Sequence, residues 1–561
     1  MIKNIKTLSC FVCLLFFTPS VVFAEPKQAA IASAHPLATQ AGIDILRQGG
    51  NAFDAAAAIT ASLAVVEPYS SGIGGGAFWL VHRASDSKQV MIDGREKAPM
   101  RSTHDMYLDR AGNVVKDLSL NGPMAAGIPG VPAGIEHLVK HYGRLSLKQV
   151  LAPAIKQAQE GFAVTKRYQK LMGYRKDVIK QHPDAAQIFL KKYKVPAIGE
   201  LIVQKDLAKT LTAIANRGSK GFYQGPVAKQ MVASVRNNGG IWELGDLDKY
   251  RIVEREPIVV NYNGIKVTSA APPSSGGIVM GQALNILEQF NLEKLDSITR
   301  KHIVIEAMRR AYRDRAAYLG DPDFIKVPVE RLLNKDYAEG LALSINSERA
   351  TPSSELSDIA TIEQTGTDTT HFSVVDGGGN RVSATLSINL PFGSGFVAKG
   401  TGVLLNNEMD DFSAKPLTAN AYGLVGDRAN AIAPGKRPLS SMTPTFLETE
   451  DRVAVLGTPG GSRIISMVLL GVLDFEEGNP PKSWVSLPRY HHQYLPDQVQ
   501  YELGGLSNRE QTTLRNKGHT LVEKNRRYGN MQAIMVWKKK DLLFAASDPR
   551  GEGNAEVFYL P

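Results

Sequence analysis

Cysteine is almost missing from this chain. Among 561 residues the only two are Cys10 and Cys13, and both fall within the first 24 residues. If that segment is removed, the protein has no disulfide, no thiolate metal site and no cysteine nucleophile. Long hydrophobic runs are also missing beyond the N-terminus: nothing there reaches 18 apolar residues without a charge, so no membrane-spanning helix is expected. Basic clusters and nucleic-acid motifs are absent too. The formal charge of +10 is scattered along the sequence, which points to a solvated surface with a weak attraction for anionic substrates. Internal repeats are not apparent. Gly72-Ile73-Gly74-Gly75-Gly76 is followed by no Lys-Ser/Thr, and a helix precedes it where a phosphate loop needs a strand. Close backbone packing is the better account of those glycines.

The N-terminus, by contrast, is distinctive. Lys3 and Lys6 precede an apolar run from Leu8 to Phe17, and Val22-Phe23-Ala24 stands before Glu25. A basic start, a short apolar stretch and small residues at −3 and −1 predict a secretory signal at residues 1–24, cut after Ala24. The mature protein is then expected in the periplasm or outside the cell, with a charge of +8 once Lys3 and Lys6 are gone. Apolar spacing predicts helices over 35–47, 53–66 and 298–318, the last with its arginines on a solvent face. The second is so alanine-rich that it must lie close against a neighbour. Between 344 and 368 the composition turns to Ser, Thr, Glu, Asp and Pro, a linker signature. After Thr369 the sequence reads as strands with glycine turns.

One hairpin carries the chemistry. Thr369-Thr370-His371-Phe372-Ser373-Val374-Val375-Asp376 reads as a strand, Gly377 to Asn380 as its turn, and Val382 to Leu390 as the return strand. Val382, Ala384, Leu386 and Ile388 share one face, with Ser383, Thr385, Ser387 and Asn389 on the other. If the turn is centred on Gly378, Thr369 stands opposite Ser387, His371 opposite Thr385, and Ser373 opposite Ser383; a glycine bulge would slip this register by one or two. A hydroxyl-lined face is common in itself. What singles this one out is that Thr369 stands where the polar linker meets a buried strand. Released there as a new N-terminus, a threonine can use its own α-amine, with a pKa of about 7.7–8.0, as the base for its hydroxyl.

The run from Thr369 to Asp376 closely resembles the start of the small subunit in γ-glutamyltransferases, which are N-terminal-nucleophile hydrolases. Further matching stretches are Asp93-Gly94-Arg95-Glu96, the segment from Leu404 to Phe412, Arg437-Pro438-Leu439-Ser440-Ser441-Met442, and Gly457-Thr458-Pro459-Gly460-Gly461-Ser462-Arg463. They stand in family order along the whole chain after the signal. The resemblance implies an α+β fold, a four-layer αββα sandwich of two stacked sheets flanked by helices. It also implies self-cleavage between Asp368 and Thr369, giving a large subunit (25–368) and a small catalytic subunit (369–561) that form one compact unit.

The same resemblance assigns roles. Thr369 is the nucleophile, and Ser387 stands where the family usually has a threonine that bonds it. Gly460 and Gly461 offer their amides as an oxyanion hole. A γ-glutamyl substrate has an α-carboxylate for Arg95, Ser440 and Ser441, and an α-ammonium for Asp411 and Glu408, helped by Asn389. The stretch from Ala414 to Pro438 resembles the lid of bacterial members, with Tyr422 walling the site. The expected substrates are glutathione and related γ-glutamyl compounds, with water, amino acids or dipeptides as acceptors. No cofactor and no metal are expected, and His491-His492 are read as structural because neighbours on a strand face opposite ways. Two other readings stay open: an acylase of the same superfamily for cephalosporin or glutaryl substrates, which would not need Asp411, and a catalytically dead binding protein.

Overall fold

A computed structural model describes residues 27–115, 117–356, 369–415 and 418–561. The predicted signal and the residue before Thr369 lie outside them. Two antiparallel sheets stack at the centre. The front sheet runs in the order Asn554–Tyr559, Gln28–Ser33, Thr370–Val375, Arg381–Ser387, Gly76–Arg83, Lys88–Gly94 and Val253–Arg255. The back sheet runs Leu542–Ser547, Gln532–Trp537, Arg452–Gly457, Thr445–Glu448, Ile265–Ser269 and Ile258–Tyr262. Both sheets therefore interleave strands from before and after Thr369.

The outer face of the front sheet holds Phe372, Val374, Val382, Ala384, Leu386 and Ile388, packed with the helices Pro36–Arg47 and Ala52–Val66 in one hydrophobic core. Ala52–Val66 is buried along its whole length, which is why it consists mostly of alanine: helices and sheet approach it from every side. Asn51 and Asp54 close its N-terminus as a capping box. The inner face of the front sheet meets the back sheet. There Ser383 Oγ donates to Leu456 O at 3.0 Å and Ser373 Oγ to Gln532 O at 3.1 Å. A second core behind the back sheet takes in the helices Gly276–Leu287, Ser297–Tyr318 and Arg463–Glu476. The result is the αββα order expected.

Three local expectations are corrected. Arg309, Arg310 and Arg315 of the helix Ser297–Tyr318 are buried rather than solvent-facing. Glu306, one turn away, holds Arg309 Nε at 3.1 Å and Arg310 Nη1 at 2.6 Å, so a charge pattern that looks like a wet face is an internal ion network. The region after Thr369 is not all strand either, since it includes the helices Arg463–Glu476 and Asn508–Asn516. The first of these is buried almost throughout, and a continuous apolar run such as its Val468–Leu470 is not told from a buried strand by hydrophobicity alone. The early part of the presumed linker is anchored as well: Ser353 is buried and donates from Oγ to Tyr494 O at 2.7 Å. Among the described residues no helix is long and apolar enough to cross a membrane.

Candidate active site

The hairpin takes the register that its alternation implied. His371 pairs with Thr385 and Ser373 with Ser383, and the ladder ends at Leu386–Thr370. Thr369 and Ser387 thus emerge side by side at the end of two central strands, 4% exposed each. Burial lowers the His371 pKa to about 3, so its imidazole is neutral, bonded to Thr385 Oγ1 at 2.9 Å. Past Ser387 the chain bends through Asn389 at φ +71°. Ser387 Oγ accepts from Asn389 N at 2.8 Å and holds that left-handed bend. The glycine run is needed close by: a Cβ on Gly74 would lie 2.1 Å from Leu404 O, and one on Gly75 2.2 Å from Ser387 O.

Thr369, Ser387 and Asn389 line a narrow cavity with Arg95, Asp411, Tyr422, Ser440, Ser441 and Gly461. At about 20 Å³ it has room for roughly one water. Tyr422 closes it. Its hydroxyl donates to Asn389 O at 2.8 Å, and its ring lies where a Cβ on Gly461 would be, 2.2 Å from Cδ1. The 414–438 loop is clasped from below, because Asn420 Nδ2 donates to Asp411 Oδ1 at 3.2 Å and Ala421 N to Asp410 Oδ2 at 2.9 Å.

The guanidinium of Arg95 is 1% exposed and faces three carboxylates. Asp411 Oδ2 lies 2.5 Å from Nη2, with Glu408 Oε2 at 2.8 Å and Glu96 Oε2 at 3.5 Å from Nη1. Burial alone would lower the Arg95 pKa, but these carboxylates outweigh it and hold the group above its ordinary range. Charge is unbalanced, with three acids against one base. Burial pushes Glu408 up to about 7, against the pull of Arg95 and helped by Asp411. Burial and the Glu408 charge raise Glu96 well above the usual carboxylate range. Neither oxygen of Glu408 has a well-directed hydrogen bond. The groups expected to hold opposite ends of a zwitterion therefore hold each other.

Two expected residues sit differently from the rest. Glu408, paired with Arg95, does not itself line the cavity, and Gly460 borders a neighbouring cavity while Gly461 borders this one. Sequence reasoning missed Arg315. It lines the cavity, donating from Nη2 to Ser441 Oγ at 3.3 Å and from Nε to Ser275 Oγ at 3.0 Å. Burial lowers its pKa to about 10. Nothing local marked it, since it belongs to the arginine-rich helix assigned to solvent.

His491 and His492 do go to different partners, Ser466 Oγ at 2.5 Å and Asp497 Oδ1 at 3.2 Å. A tighter group exists elsewhere: ligand atoms of His302, Glu306 and His519 lie within 4.8 Å of one another. Its donors are engaged, however. The two imidazoles bond each other at 2.7 Å, His302 Nε2 bonds Asn346 O, and Glu306 is tied to two arginines whose charge opposes a cation.

Stacked sheets between helices, with a threonine at the head of a central strand and a closed polar cleft beside it, define an N-terminal-nucleophile hydrolase fold. The model of the family described as gamma-glutamyltranspeptidase matches residues 38–558, and the chain belongs to that family. It is 44% identical over 538 residues to the glutathione hydrolase proenzyme of Escherichia coli K12, covering 95% of this chain and 92% of that one. The corresponding proenzyme of Pseudomonas aeruginosa is 41% identical, with 98% of each covered. Among solved structures, the cephalosporin acylase of Bacillus halodurans superposes with a TM-score of 0.83 at 31% identity, covering 97% of this chain and 99% of that chain.

Proposed function

We propose that this protein is an exported γ-glutamyltransferase and glutathione hydrolase that cleaves itself between Asp368 and Thr369. The observation that carries the reading is the Arg95–Asp411 pair in the cavity that Thr369 and Ser387 line. An α-amino acid presents the same two charges in reverse. Its carboxylate replaces Asp411 at Arg95, and its ammonium replaces Arg95 at Asp411, with the Glu408 carboxylate adding negative charge from off the cavity wall, so each buried charge is exchanged rather than stripped. Ser440, Ser441 and Arg315 add donors for the carboxylate, and Asn389 an acceptor for the ammonium through Oδ1, which is buried without a partner. This pairing favours a γ-glutamyl group over the glutaryl or cephalosporin side chain of an acylase.

The freed α-amine of Thr369 takes the proton from its own hydroxyl, and Oγ1 attacks the γ-carbonyl. The amides of Gly460 and Gly461 receive the developing oxyanion; their φ values of +146° and +59° keep this turn open to glycine and closed to larger residues. The leaving amine takes the proton and departs. Water or an acceptor amine then attacks the γ-glutamyl ester and restores the threonine, so no cofactor is needed. Ser387 steadies the nucleophile and the Asn389 bend. The 414–438 loop with Tyr422 acts as a lid that opens to admit substrate. The interleaved strands keep the 25–368 and 369–561 fragments together as a heterodimer after the cut. The exported location rests on the signal-like N-terminus.

The test is turnover of γ-glutamyl-p-nitroanilide beside glutaryl-p-nitroanilide, which lacks the ammonium, with and without a dipeptide. The γ-glutamyl compound is expected to be turned over at least about 100-fold better, since removing one partner of a buried charge pair costs roughly 3 kcal/mol or more. Equal turnover would favour the acylase reading.

A further inference from the structure

The helix Val131–Tyr142 carries His137 and His141 one turn apart, so both side chains leave the same face. Their rings are in contact, with centroids 4.4 Å apart and planes tilted by 36°. Among the described residues one other histidine pair has touching rings, His302 and His519, and that pair is buried. His137 and His141 instead border a cavity of about 300 Å³, with Glu136, Asp248 and Tyr250 among its walls. His141 is exposed and makes no hydrogen bond or ion pair among the described residues. His137 is fixed. Its Nε2 lies 2.9 Å from Oε1 of Glu254, a residue of the strand Val253–Arg255, and the same oxygen accepts from the Tyr142 hydroxyl at 2.5 Å. Glu254 Oε2 accepts from Lys88 Nζ at 3.1 Å.

These contacts decide which ring nitrogen of His137 is free. Burial alone would raise the Glu254 pKa, but Tyr142, His137 and Lys88 outweigh it and lower it to about 2. The ionised carboxylate can only accept, so His137 Nε2 carries the hydrogen. Burial lowers the His137 pKa despite the Glu254 contact, which leaves the ring neutral near pH 7 with its lone pair on Nδ1. A carboxylate that holds one nitrogen of an imidazole and frees the other is the arrangement found behind metal-ligating histidines. We propose that His137 Nδ1 and a ring nitrogen of His141 bind a divalent transition ion of the zinc type, with water in the remaining positions. Imidazole suits such ions, and tetrahedral zinc with bonds of about 2.0–2.1 Å needs its nitrogens roughly 3.3 Å apart. Rings in contact across one helical turn reach that spacing by rotation of the exposed His141. The site lies in the last turns of the helix, where the backbone dipole favours a cation. Lys140 and Lys220 at the cavity rim are exposed, so solvent screens their charge. An ion held here ties the helix, through Glu254, to the edge of the front sheet. None of these residues lines the cleft of Thr369, so the site is separate from the γ-glutamyl chemistry.

The experiment titrates the tag-free protein with zinc chloride in a calorimeter near neutral pH. Wild type is compared with His141→Asn, with Glu254→Gln, and with His104→Asn, which changes an exposed histidine outside the site. The expected result is one zinc per molecule in wild type and in His104→Asn. Affinity should fall at least about tenfold in His141→Asn, which loses a ligand. It should fall about 10- to 100-fold in Glu254→Gln, which keeps both imidazoles but loses the carboxylate that orients one of them. Zinc should raise the thermal midpoint of wild type and leave that of His141→Asn unmoved, because an ion bound to the folded state shifts the folding equilibrium. Circular dichroism checks that each variant is folded, and if one is not, the other decides. Absence of saturable zinc binding in wild type, wild-type affinity in either folded site variant, or an equal loss in His104→Asn would overturn the proposal.

Discussion

Replacing Arg95 by alanine tests the central electrostatic feature of the cleft. The guanidinium is the common partner of Asp411, Glu408 and Glu96, and its removal leaves three carboxylates facing one another without a countercharge. Breaking a buried pair in this way costs about 3–5 kcal/mol of stability, softened as the acids take up protons. For turnover, the lost partner of the substrate carboxylate costs about 2–5 kcal/mol, or about 30- to 4,000-fold at 1.4 kcal/mol per decade. The loss should fall mainly on KM. Self-cleavage needs no substrate carboxylate, so Arg95→Ala should still run as two chains on a denaturing gel. Two companion variants separate the effects. Arg95→Lys should regain part of the activity, since an ammonium is a point charge and cannot make the paired contact. Arg95→Ala/Glu408→Gln should regain stability without activity, because it removes one of the opposed charges but restores no donor. Steady-state kinetics on the processed protein, with thermal melts alongside, decide the matter. A kcat/KM within threefold of wild type for Arg95→Ala would remove this residue from substrate binding and weaken the γ-glutamyl assignment.

Further expectations concern the nucleophile, the bend beside it, the pH response and the oxyanion turn. Thr369→Ala should stay a single inactive chain on a denaturing gel, whereas the smaller wild-type fragment should give Thr-Thr-His on N-terminal sequencing. Ser387→Ala should slow both processing and turnover, because it also strands the buried Asn389 amide, worth about 1–3 kcal/mol; Ser387→Thr should equal or exceed wild type, and a wild-type rate in the alanine variant would contradict the role given to the hydroxyl. Glu408, raised to about 7, is protonated below that pH and anionic above it, so KM for a γ-glutamyl donor should fall as pH rises through 7. Being raised, it also makes the folded protein less stable as pH climbs from the ordinary carboxylate value to about 7; Glu408→Gln should flatten both profiles. Gly461→Ala puts a Cβ 2.2 Å from the Tyr422 ring at a φ of +59°, and should be inactive although processed and folded by circular dichroism.

The sequence by itself determined the hairpin. Strict alternation from Val382 to Ile388 could bury only one set of side chains; centring the turn on Gly378 gave the register, and the strand pairing chose it over a slip through a glycine bulge. That placed Ser387 beside Thr369 at the ladder's end, as the strand pairing has it. The first two helices were legible from apolar spacing, the expected spans 35–47 and 53–66 lying within one residue of Pro36–Arg47 and Ala52–Val66. The glycine run announced close backbone contact because little else accounts for it. Tertiary structure alone decided how charges are spent. Arg95 and Asp411 are 316 positions apart, and no local pattern says that they neutralise each other before a substrate arrives. Arg309, Arg310 and Arg315 looked solvated because arginine usually is; the fold buries them by bringing Ser353, Ser275 and Ser441 to meet them, while Glu306 is a partner one turn away on the same helix. The neighbouring cavity at Gly460 is the extreme case, assembled from residues near 166 and near 527 that only the packed chain makes neighbours. Periodicity records which face of an element is buried, but the partner of a buried charge is set by where the fold delivers the opposite one.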